Sequence, residues 1–349
     1  MSLTKVTYSM VSGAPANVLD YGASTSASAA ANGVAFAAAL AASSNVYIPA
    51  GTYAIDTIAV PNKRVRIFGE GIETTILQTT GSYGINFDHF SSTYLNRFSV
   101  LEELSINNAV GTNGLFINNG GIKATNLYIY GGSKAIWMAN SVLGNYTNIV
   151  AAATQYCIYV DNAPSPGTGE VVWLNTFTNV SCAPNSPTDY PFGLIVATAT
   201  ASFFFKNVLI CLDCEKNDIG FKAANAGTAS GNTFINGWFE LNQTNNVFEG
   251  TGNANTWINP RFYSSLTAFT IDADSWYQDG NSLANTVLQT QIGWNALDAG
   301  VTWGVGRGSP EGVLTAARGS LYTNTVVGGT GVTFYVKESG AGNTGWVGK

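Results

Sequence analysis

The middle of the chain contains a repeat, and a repeat constrains the fold more than any other feature of a sequence. Six segments align on one asparagine, and successive asparagines are 22, 31, 28, 29 and 23 residues apart. The six are Asn126, Asn148, Asn179, Asn207, Asn236 and Asn259. A second apolar motif lies between them and begins at Gly114, Ala135, Cys157, Gly193, Gly220, Asn246 and Ala268. Each repeat therefore contains short strands separated by turns.

A period of this length with two or three short strands is typical of a β-solenoid. The chain has too little leucine for a leucine-rich repeat. Asparagine tolerates the left-handed backbone conformation of a tight corner, and its side chain can hydrogen-bond to the same residue of the next coil. We therefore predict that the six asparagines stack in one line and have a structural role.

Strand alternation predicts which side chains after each asparagine face the core. The first and third positions are predicted to point inward, and the second and fourth outward. The predicted inward residues are Leu127, Ile129, Ile149, Ala151, Val180, Cys182, Val208, Ile210, Gly237, Phe239, Pro260 and Phe262. The predicted outward residues are Tyr128, Tyr130, Val150, Ala152, Ser181, Ala183, Leu209, Cys211, Trp238, Glu240, Arg261 and Tyr263.

The composition and charge of the chain limit the kinds of partner that it can bind. The 349 residues are 46% apolar, which suffices for a large core, but only 10% are charged, and the net charge is −6. An acidic chain without a Lys/Arg run is a poor ligand for phosphates, so no nucleic-acid partner is expected. The longest apolar stretch, residues 34–42, is too short for a bilayer, and the N-terminus lacks a basic-then-apolar signal pattern. We expect a soluble protein made without a signal peptide and without membrane contact.

Metal and redox chemistry are not indicated. The four cysteines are too few and too clustered for a disulfide framework, and His89 is the only histidine. Although Cys211 and Cys214 have the spacing of a zinc or redox pair, no second pair completes a site. We predict buried or half-buried thiols, no metal and no cofactor.

The N-terminal region predicts a cap for the solenoid, which otherwise exposes unpaired strand edges. Asn32-Gly33 leads into an alanine-rich helix over residues 34–42, where Phe36 and Leu40 form one apolar stripe. The segments NVLDYGA (17–23), VYIPAGTY (46–53) and IFGEG (67–71) around this helix resemble the opening of pectin-lyase-like β-helix proteins, including phage tailspikes. That opening usually has Asp-Gly before the helix, where this chain has Asn32-Gly33.

The resemblance implies an all-β fold, a single-stranded right-handed parallel β-helix with a capping helix. It extends to about residue 80 by motif and to about residue 275 by architecture. Beyond residue 285 the repeat stops, and residues 308–346 are similar to a small β module that serves trimerisation at the C-termini of phage tail proteins. The expected division is an N-terminal segment and cap over 1–44, the β-helix over 45–285, and a C-terminal β module over 286–349 in a homotrimer.

The predicted outward face offers one candidate site. Trp238, Glu240, Arg261 and Tyr263 would lie together on neighbouring coils, where aromatic and charged groups suit a sugar. Hydrolysis needs a second carboxylate. Asp213 is predicted one coil earlier and two residues further along the strand, about 8 Å from Glu240, which fits an inverting pair.

In this hypothesis Glu240 is the general acid, Asp213 activates the water, and Glu215 and Asp218 are reserve saccharide-binding residues. The competing interpretation is structural: Glu240 and Arg261 pair across coils, and Trp238 and Leu209 are buried between the protomers of a trimer.

Three functions remain open from the sequence. The first is a phage tailspike that binds and cleaves a bacterial surface polysaccharide, either capsule or O-antigen, as a glycosidase. The alternative is a receptor-binding tailspike without catalysis, and the third is a polysaccharide lyase. A lyase is the weakest, because it needs cations to neutralise a uronate and a Lys or Arg base, and Arg261 is the only Lys or Arg on the predicted outward face. A tailspike implies a virion location and contacts with other virion tail proteins.

Overall fold

The computed structural model describes residues 13–88, 98–109, 111–118, 120–161, 171–196, 203–223, 228–250, 253–263, 276–278, 290–293, 302–325 and 332–349. Strands dominate these residues, and in two large sheets every pair of neighbouring strands is parallel. The predicted parallel β-helix is therefore confirmed. His89 lies outside the described residues.

The first sheet has 15 strands, and its order follows the chain from one coil to the next. Its strands are Ala16–Asn17, Asn45–Tyr47, Gly51–Ile55, Arg66–Phe68, Thr75–Thr79, Val100–Asn108, Lys123–Gly131, Asn145–Ala153, Thr176–Pro184, Val208–Glu215, Thr233–Ile235, Trp238–Glu240, Thr256–Ile258, Arg261–Tyr263 and Trp276–Gln278.

The second sheet has 11 strands and forms the other faces of each coil. These strands are Ile58–Ala59, Tyr83–Asp88, Asn113–Asn118, Lys134–Val142, Tyr156–Val160, Val171–Trp173, Phe192–Val196, Phe203–Phe205, Ile219–Ala223, Ala229–Ser230 and Asn245–Glu249. Lys134–Val142 bends between two faces, since its first half pairs with Tyr156–Val160 and its end with Val171–Trp173.

A separate five-stranded sheet, mixed in direction, occupies the C-terminal part of the chain. Its strands are Thr290–Gly293, Thr302–Gly306, Leu321–Asn324, Phe334–Lys337 and Trp346–Gly348. A small core of its own consists of Leu314, Ala316, Tyr322, Tyr335 and Trp346.

One α-helix, Ala29–Ala42, and one 3-10 turn, Val18–Tyr21, stand at the N-terminal end. The helix begins earlier than predicted, because Ser28 is the N-cap and accepts a hydrogen bond from Ala31 N at 3.3 Å. Asn32 is therefore inside the helix, buried, and its amide donates to Ala54 O at 2.8 Å. This bond fixes the helix to the first coil. No helix in the described parts of the chain is long and apolar enough to span a membrane.

The core consists of apolar side chains stacked from coil to coil. Leu104, Leu127, Ile149, Val180 and Leu212 are consecutive neighbours in the strand register, and each is at most 1% exposed. Burying each such side chain stabilises the fold by about 1.5–3 kcal/mol. Each coil adds another layer to the same column.

The predicted line of asparagines is correct at five of its six positions. Asn126, Asn148, Asn179, Asn236 and Asn259 share the left-handed conformation, with φ between 49° and 53°. Amides in this column bond from coil to coil, as from Asn148 Nδ2 to Asn126 Oδ1 at 3.0 Å. The prediction for Asn207 is wrong.

Cys211 has the corner position that was predicted for Asn207. The pairs Thr178–Ile210 and Val180–Leu212 place Cys211 beside Asn179, and its φ is 54°. The strand is therefore four residues out of the predicted register here. Leu209 and Leu212 are buried, whereas Val208 and Ile210, the predicted core pair, are only half-buried.

Alternation otherwise predicts burial well. The side chains of Phe262 and Tyr263 lie outside the described residues. The other inward predictions, apart from Val208 and Ile210, are confirmed. Of the residues predicted to face outward, Ala152 is buried in addition to Leu209. Three of the four cysteines are buried, but Cys211 is exposed, contrary to the prediction for the thiols.

Asn207 belongs to a second, buried asparagine ladder. Asn175, Asn207, Asn232 and Asn255 are at most 2% exposed and are joined by side-chain hydrogen bonds of 2.9–3.0 Å. Each Oδ1 also accepts the backbone N–H of the preceding coil, as Asn232 Oδ1 does from Asn207 N at 2.9 Å. The ladder satisfies the polar backbone groups at a turn that bends into the interior.

Candidate functional site

The candidate site lies on three neighbouring strands of the first sheet, Val208–Glu215, Trp238–Glu240 and Arg261–Tyr263. Asp213, Trp238 and Arg261 are consecutive neighbours in the register, and Glu215 pairs with Glu240. Phe239, between Trp238 and Glu240, is fully buried, so the side chains on either side of it face outward. The structure thus brings together Asp213, Glu215 and Glu240, which we call the carboxylate patch.

The predicted offset between Asp213 and Glu240 has the wrong direction. Asp213 is two residues before the register partner of Glu240, not two residues beyond it, and Glu215 is that partner. The four-residue register shift of this strand is the cause. A strand spacing of about 4.8 Å and an offset of about 6.6 Å still separate the Asp213 and Glu240 backbones by about 8 Å.

Asp213 has the most unusual environment of the three carboxylates. One oxygen accepts a hydrogen bond from Ser181 Oγ at 3.2 Å. The other, Oδ1, is buried and has no hydrogen-bond partner among the described residues. Burial raises the pKa of Asp213, the carboxylates of Glu215 and Glu240 raise it further, and the Ser181 hydrogen bond acts in the opposite direction. Asp213 therefore holds a proton more strongly than an ordinary aspartate.

Glu240 is held by the indole beside it. Trp238 Nε1 donates to Glu240 Oε2 at 2.9 Å, while the guanidinium carbon of Arg261 is 5.8 Å from the centre of a Trp238 ring. Trp238 and Glu240 are half-buried, and Arg261 is exposed. The ion pair between Glu240 and Arg261 that the structural interpretation predicted is not formed in the described part of the chain.

Two further predicted residues do not join the patch. Asp218 lies in the turn beyond the strand, where Thr244 Oγ1 donates to its carboxylate. The backbone of Tyr263 pairs with Glu240, but its side chain lies outside the described residues.

An aromatic pair that the sequence did not single out for binding extends the same face. Tyr128 and Tyr130 are half-buried, and their rings stack with centroids 4.5 Å apart. Val150 and Ser181 separate Tyr128 from Asp213 in the register, so the pair is three strands, or about 14 Å, from the patch. Alternation predicted correctly that both tyrosines face outward. The sequence did not give their distance from Asp213, which depends on the register between strands.

No group of three or more His, Cys, Asp or Glu side chains is arranged to hold a metal ion in the described ranges.

The comparisons with known proteins agree with the fold. Residues 16–98 match the family model described as rhamnogalacturonase A/epimerase, pectate lyase-like. This match confirms the resemblance predicted from the opening segments. Residues 16–98 are therefore similar to pectate lyase-like proteins, and the fold of the described residues is a parallel β-helix. No curated protein sequence matches the chain.

Solved structures show the same architecture at low sequence identity. ORF18 of Geobacillus virus E2 has a TM-score of 0.53 and 14% identity, over 95% of this chain and 75% of that one. The catalytic domain of a GH87 α-1,3-glucanase in complex with tetrasaccharides has a TM-score of 0.50 and 17% identity, over 72% of this chain. The aligned region is 46% of the glucanase chain, so about half of that protein has no counterpart here.

The N-terminal fragment of bacteriophage Phi29 gene product 12 is also similar, with a TM-score of 0.43 and 13% identity, over 75% of this chain and 43% of that one.

Proposed function

We propose that the chain is a phage tailspike protein that binds a bacterial surface polysaccharide along the outward face of the first sheet and hydrolyses it at the carboxylate patch. The similarity to a Geobacillus virus protein supports a virion role, and that to an α-1,3-glucanase bound to tetrasaccharides supports a saccharide ligand. Fold alone specifies no activity, so the proposal depends on the patch.

The environment of Asp213 is the observation that carries the proposal. A carboxyl group with a raised pKa can keep a proton and donate it to a glycosidic oxygen. The structure therefore favours Asp213 as the general acid, which reverses the roles proposed from the sequence. Glu240, oriented by Trp238, becomes the general base.

The spacing suits an inverting reaction. A separation of about 8 Å leaves room for a water between Glu240 and the anomeric carbon, since inverting pairs are about 6.5–9.5 Å apart. Glu240 takes one proton from the water, whose oxygen forms the new bond to the anomeric carbon. The bond to the leaving oxygen breaks with its electron pair, and Asp213 protonates that oxygen. The carboxylate of Glu215 raises the pKa of Asp213 and so favours the protonated acid.

Aromatic side chains supply the binding surface on both sides of this centre. Trp238 is next to Asp213 in the register, and the stacked Tyr128 and Tyr130 are about 14 Å away along the solenoid axis. Ring faces cover the apolar faces of sugars, and the polar groups between them bind hydroxyls. A saccharide chain lying parallel to the axis would contact both aromatic groups at once.

The test measures new reducing ends after incubation with purified capsule and O-antigen polysaccharides. Asp213→Asn and Glu240→Gln should each lower turnover roughly 100- to 10,000-fold, with saccharide affinity nearly unchanged. Asp20→Asn, in the 3-10 turn at the N-terminal end of the solenoid, is the control that should keep full activity. Full turnover in either patch variant would exclude this mechanism, and unsaturated products would indicate a lyase.

One observation favours the alternative of a receptor-binding spike without catalysis. Glu240 already accepts a hydrogen bond from Trp238, an arrangement that also suits a rigid binding surface. In that case the polysaccharide binds but yields no new reducing ends, and Trp238→Ala weakens binding by removing apolar contact area.

A further inference from the structure

A second aromatic surface lies on the outward side of the second sheet. In the strands Lys134–Val142 and Tyr156–Val160 the first and fourth residues are half-buried and face outward, and in Phe192–Val196 the first residue does so. Phe192 follows Tyr156, which follows Lys134, at the first position of successive coils. At the fourth position Tyr159 follows Trp137. We call the four rings and the nearby Lys134 and Lys222 the aromatic face.

The rings form one continuous surface. Tyr156 stacks on Phe192 with centroids 5.6 Å apart and planes 14° apart, and it contacts Tyr159 at 4.6 Å. Trp137 meets Tyr159 edge to face at 5.9 Å. All four side chains are half-buried, so part of each ring remains exposed. The surface thus offers several partly exposed aromatic rings side by side, as sugar-binding surfaces do.

Two ammonium groups stand over these rings. Lys134 Nζ is 4.5 Å from the centre of a Trp137 ring and 5.0 Å from that of Tyr159. Lys222 Nζ is 4.7 Å from the centre of Phe192. The two lysines are three strands apart, or about 14 Å along the axis.

Neither ammonium is neutralised by a close carboxylate in the described parts of the chain. Burial lowers the pKa of Lys134, and the negative charge of Asp161 only partly offsets this effect. The Asp161 carboxylate accepts a hydrogen bond from the Tyr159 hydroxyl at 2.5 Å. In a chain with a net charge of −6, two partly dehydrated cations on one aromatic surface form a local site for an anion.

We propose that the aromatic face binds an acidic saccharide, with sugar rings on Trp137, Tyr156 and Tyr159 and carboxylate groups at Lys134 and Lys222. This site is separate from the carboxylate patch, which is on the other sheet. It would hold an acidic polysaccharide on the spike whether or not the patch cleaves it.

A second copy of the chain is a less suitable occupant. Exposed aliphatic side chains, which favour contact between subunits, lie elsewhere, at Leu143, Leu174 and Val150. On the aromatic face the exposed groups are rings and ammoniums, and the latter attract carboxylates.

Binding of the full chain to three acidic polymers, polygalacturonate, alginate and hyaluronate, is compared with binding to neutral dextran. At least one acidic polymer should bind more tightly than dextran, and its affinity should fall as NaCl increases. The double variant Lys134→Met/Lys222→Met should bind it at least tenfold more weakly, because methionine keeps the apolar stem over the rings but removes the charge. Lys123→Met, an exposed lysine on the first sheet, is the matched control.

Asp213→Asn separates this proposal from the proposed function. It should lower cleavage roughly 100- to 10,000-fold and leave acidic-polymer binding unchanged. The double lysine variant should weaken acidic-polymer binding and keep full cleavage of a neutral substrate. Equal affinity of wild type and double variant, or equal binding of dextran and all three acidic polymers, would overturn the proposal. A change in sedimentation of the double variant would instead identify the face as a contact between copies and overturn it too.

Discussion

Asn207 donates from Nδ2 to Oδ1 of Asn232 at 3.0 Å, with both side chains fully buried in the solenoid. Asn232 in turn donates to Phe204 O at 2.8 Å and to Asn255 Oδ1 at 2.9 Å. Its Oδ1 also accepts the backbone N–H of Asn207. One amide therefore satisfies four polar groups that have no access to water.

Asn232→Ala should be strongly destabilising. Each buried polar group left without a partner costs about 1–3 kcal/mol, and relaxation recovers part of this, so we expect a total loss of about 3–5 kcal/mol. Guanidinium chloride unfolding monitored by circular dichroism measures the change.

The matched control is an asparagine from the exposed column. Asn148→Gly should cost far less, because the amide is solvated and glycine adopts the left-handed conformation of this corner easily. Equal losses in the two variants would contradict the distinction between the buried ladder and the exposed column.

Sequence patterns located the solenoid because corner asparagines recur beside alternating apolar residues. They failed at Asn207 because asparagine serves in two different columns. The two columns differ in how far the asparagine stands from the next buried side chain. A corner asparagine precedes a buried residue directly, as Asn179 precedes Val180, whereas a ladder asparagine is two residues before one, as Asn207 is before Leu209. The signal that separates the two columns was therefore present in the sequence. Spacing alone was misleading, because Asn207 lies almost midway between Asn179 and Asn236, where a corner asparagine is expected.

The candidate site was predictable to a similar degree. Alternation placed Trp238, Glu240 and Arg261 on one face correctly, since each depends only on its own strand. The predicted position of Asp213 was counted from Asn207. It was therefore wrong by the same four residues. The aromatic face was not predicted, because outward positions were derived only for the asparagine motif and not for the motif beginning at Ala135 and Cys157.

Thiol reactivity gives an independent check of the register. Cys211 is exposed, while Cys157, Cys182 and Cys214 are buried, and burial contributes to a raised pKa of each buried thiol. We expect one thiol per chain to react rapidly with an aromatic disulfide reagent in the folded protein and four in denaturant. Cys211→Ser should abolish the fast phase, and a fast phase that persists in this variant would contradict the corner position of Cys211.

Asp213→Asn should stabilise the protein at neutral pH. The folded-state pKa of this carboxyl is raised above its ordinary value, so the folded state binds the proton more tightly than the unfolded state. The favourable contribution of protonated Asp213 is complete below the unfolded pKa of about 3.9 and is lost as pH rises through the folded pKa. The variant has no charge to bury. Its unfolding midpoint should therefore be higher than that of the wild type at pH 7 and equal to it near pH 3.

Glu240→Gln is the comparison for that measurement. A smaller gain at pH 7 is expected, because this substitution leaves Asp213 buried and only removes one of the neighbouring charges. If Asp213→Asn lowers the midpoint at pH 7, the carboxylate is stabilised by the fold and cannot serve as the acid.

The C-terminal sheet should respond to acid in the opposite sense. Glu311 accepts backbone hydrogen bonds from Trp346 N at 2.7 Å and Gly345 N at 2.9 Å, and these bonds lower the pKa of its carboxyl. Their stabilising effect is present above the unfolded pKa of about 4.3 and disappears as pH falls through the folded pKa. Glu311→Gln should lower the unfolding temperature of this sheet at pH 7 and have little effect near pH 3, as followed by the NMR signals of the Gly345 and Trp346 amides.

The last prediction is the homotrimer, for which the C-terminal sheet offers a reason. Its own core has five residues in the part of the chain that the structure describes, among them Tyr335 and Trp346, and Val313 beside it is 60% exposed. So small a core supplies little stability alone, and packing against copies of itself would bury Val313. Analytical ultracentrifugation should give about three times the chain mass of 36.7 kDa. Val313→Asp should shift the population towards monomer, while Val34→Asp, at a 72% exposed position on the N-terminal helix, should not. A monomeric wild type would refute the trimer, and an unchanged trimer in Val313→Asp would place the contact elsewhere on the chain.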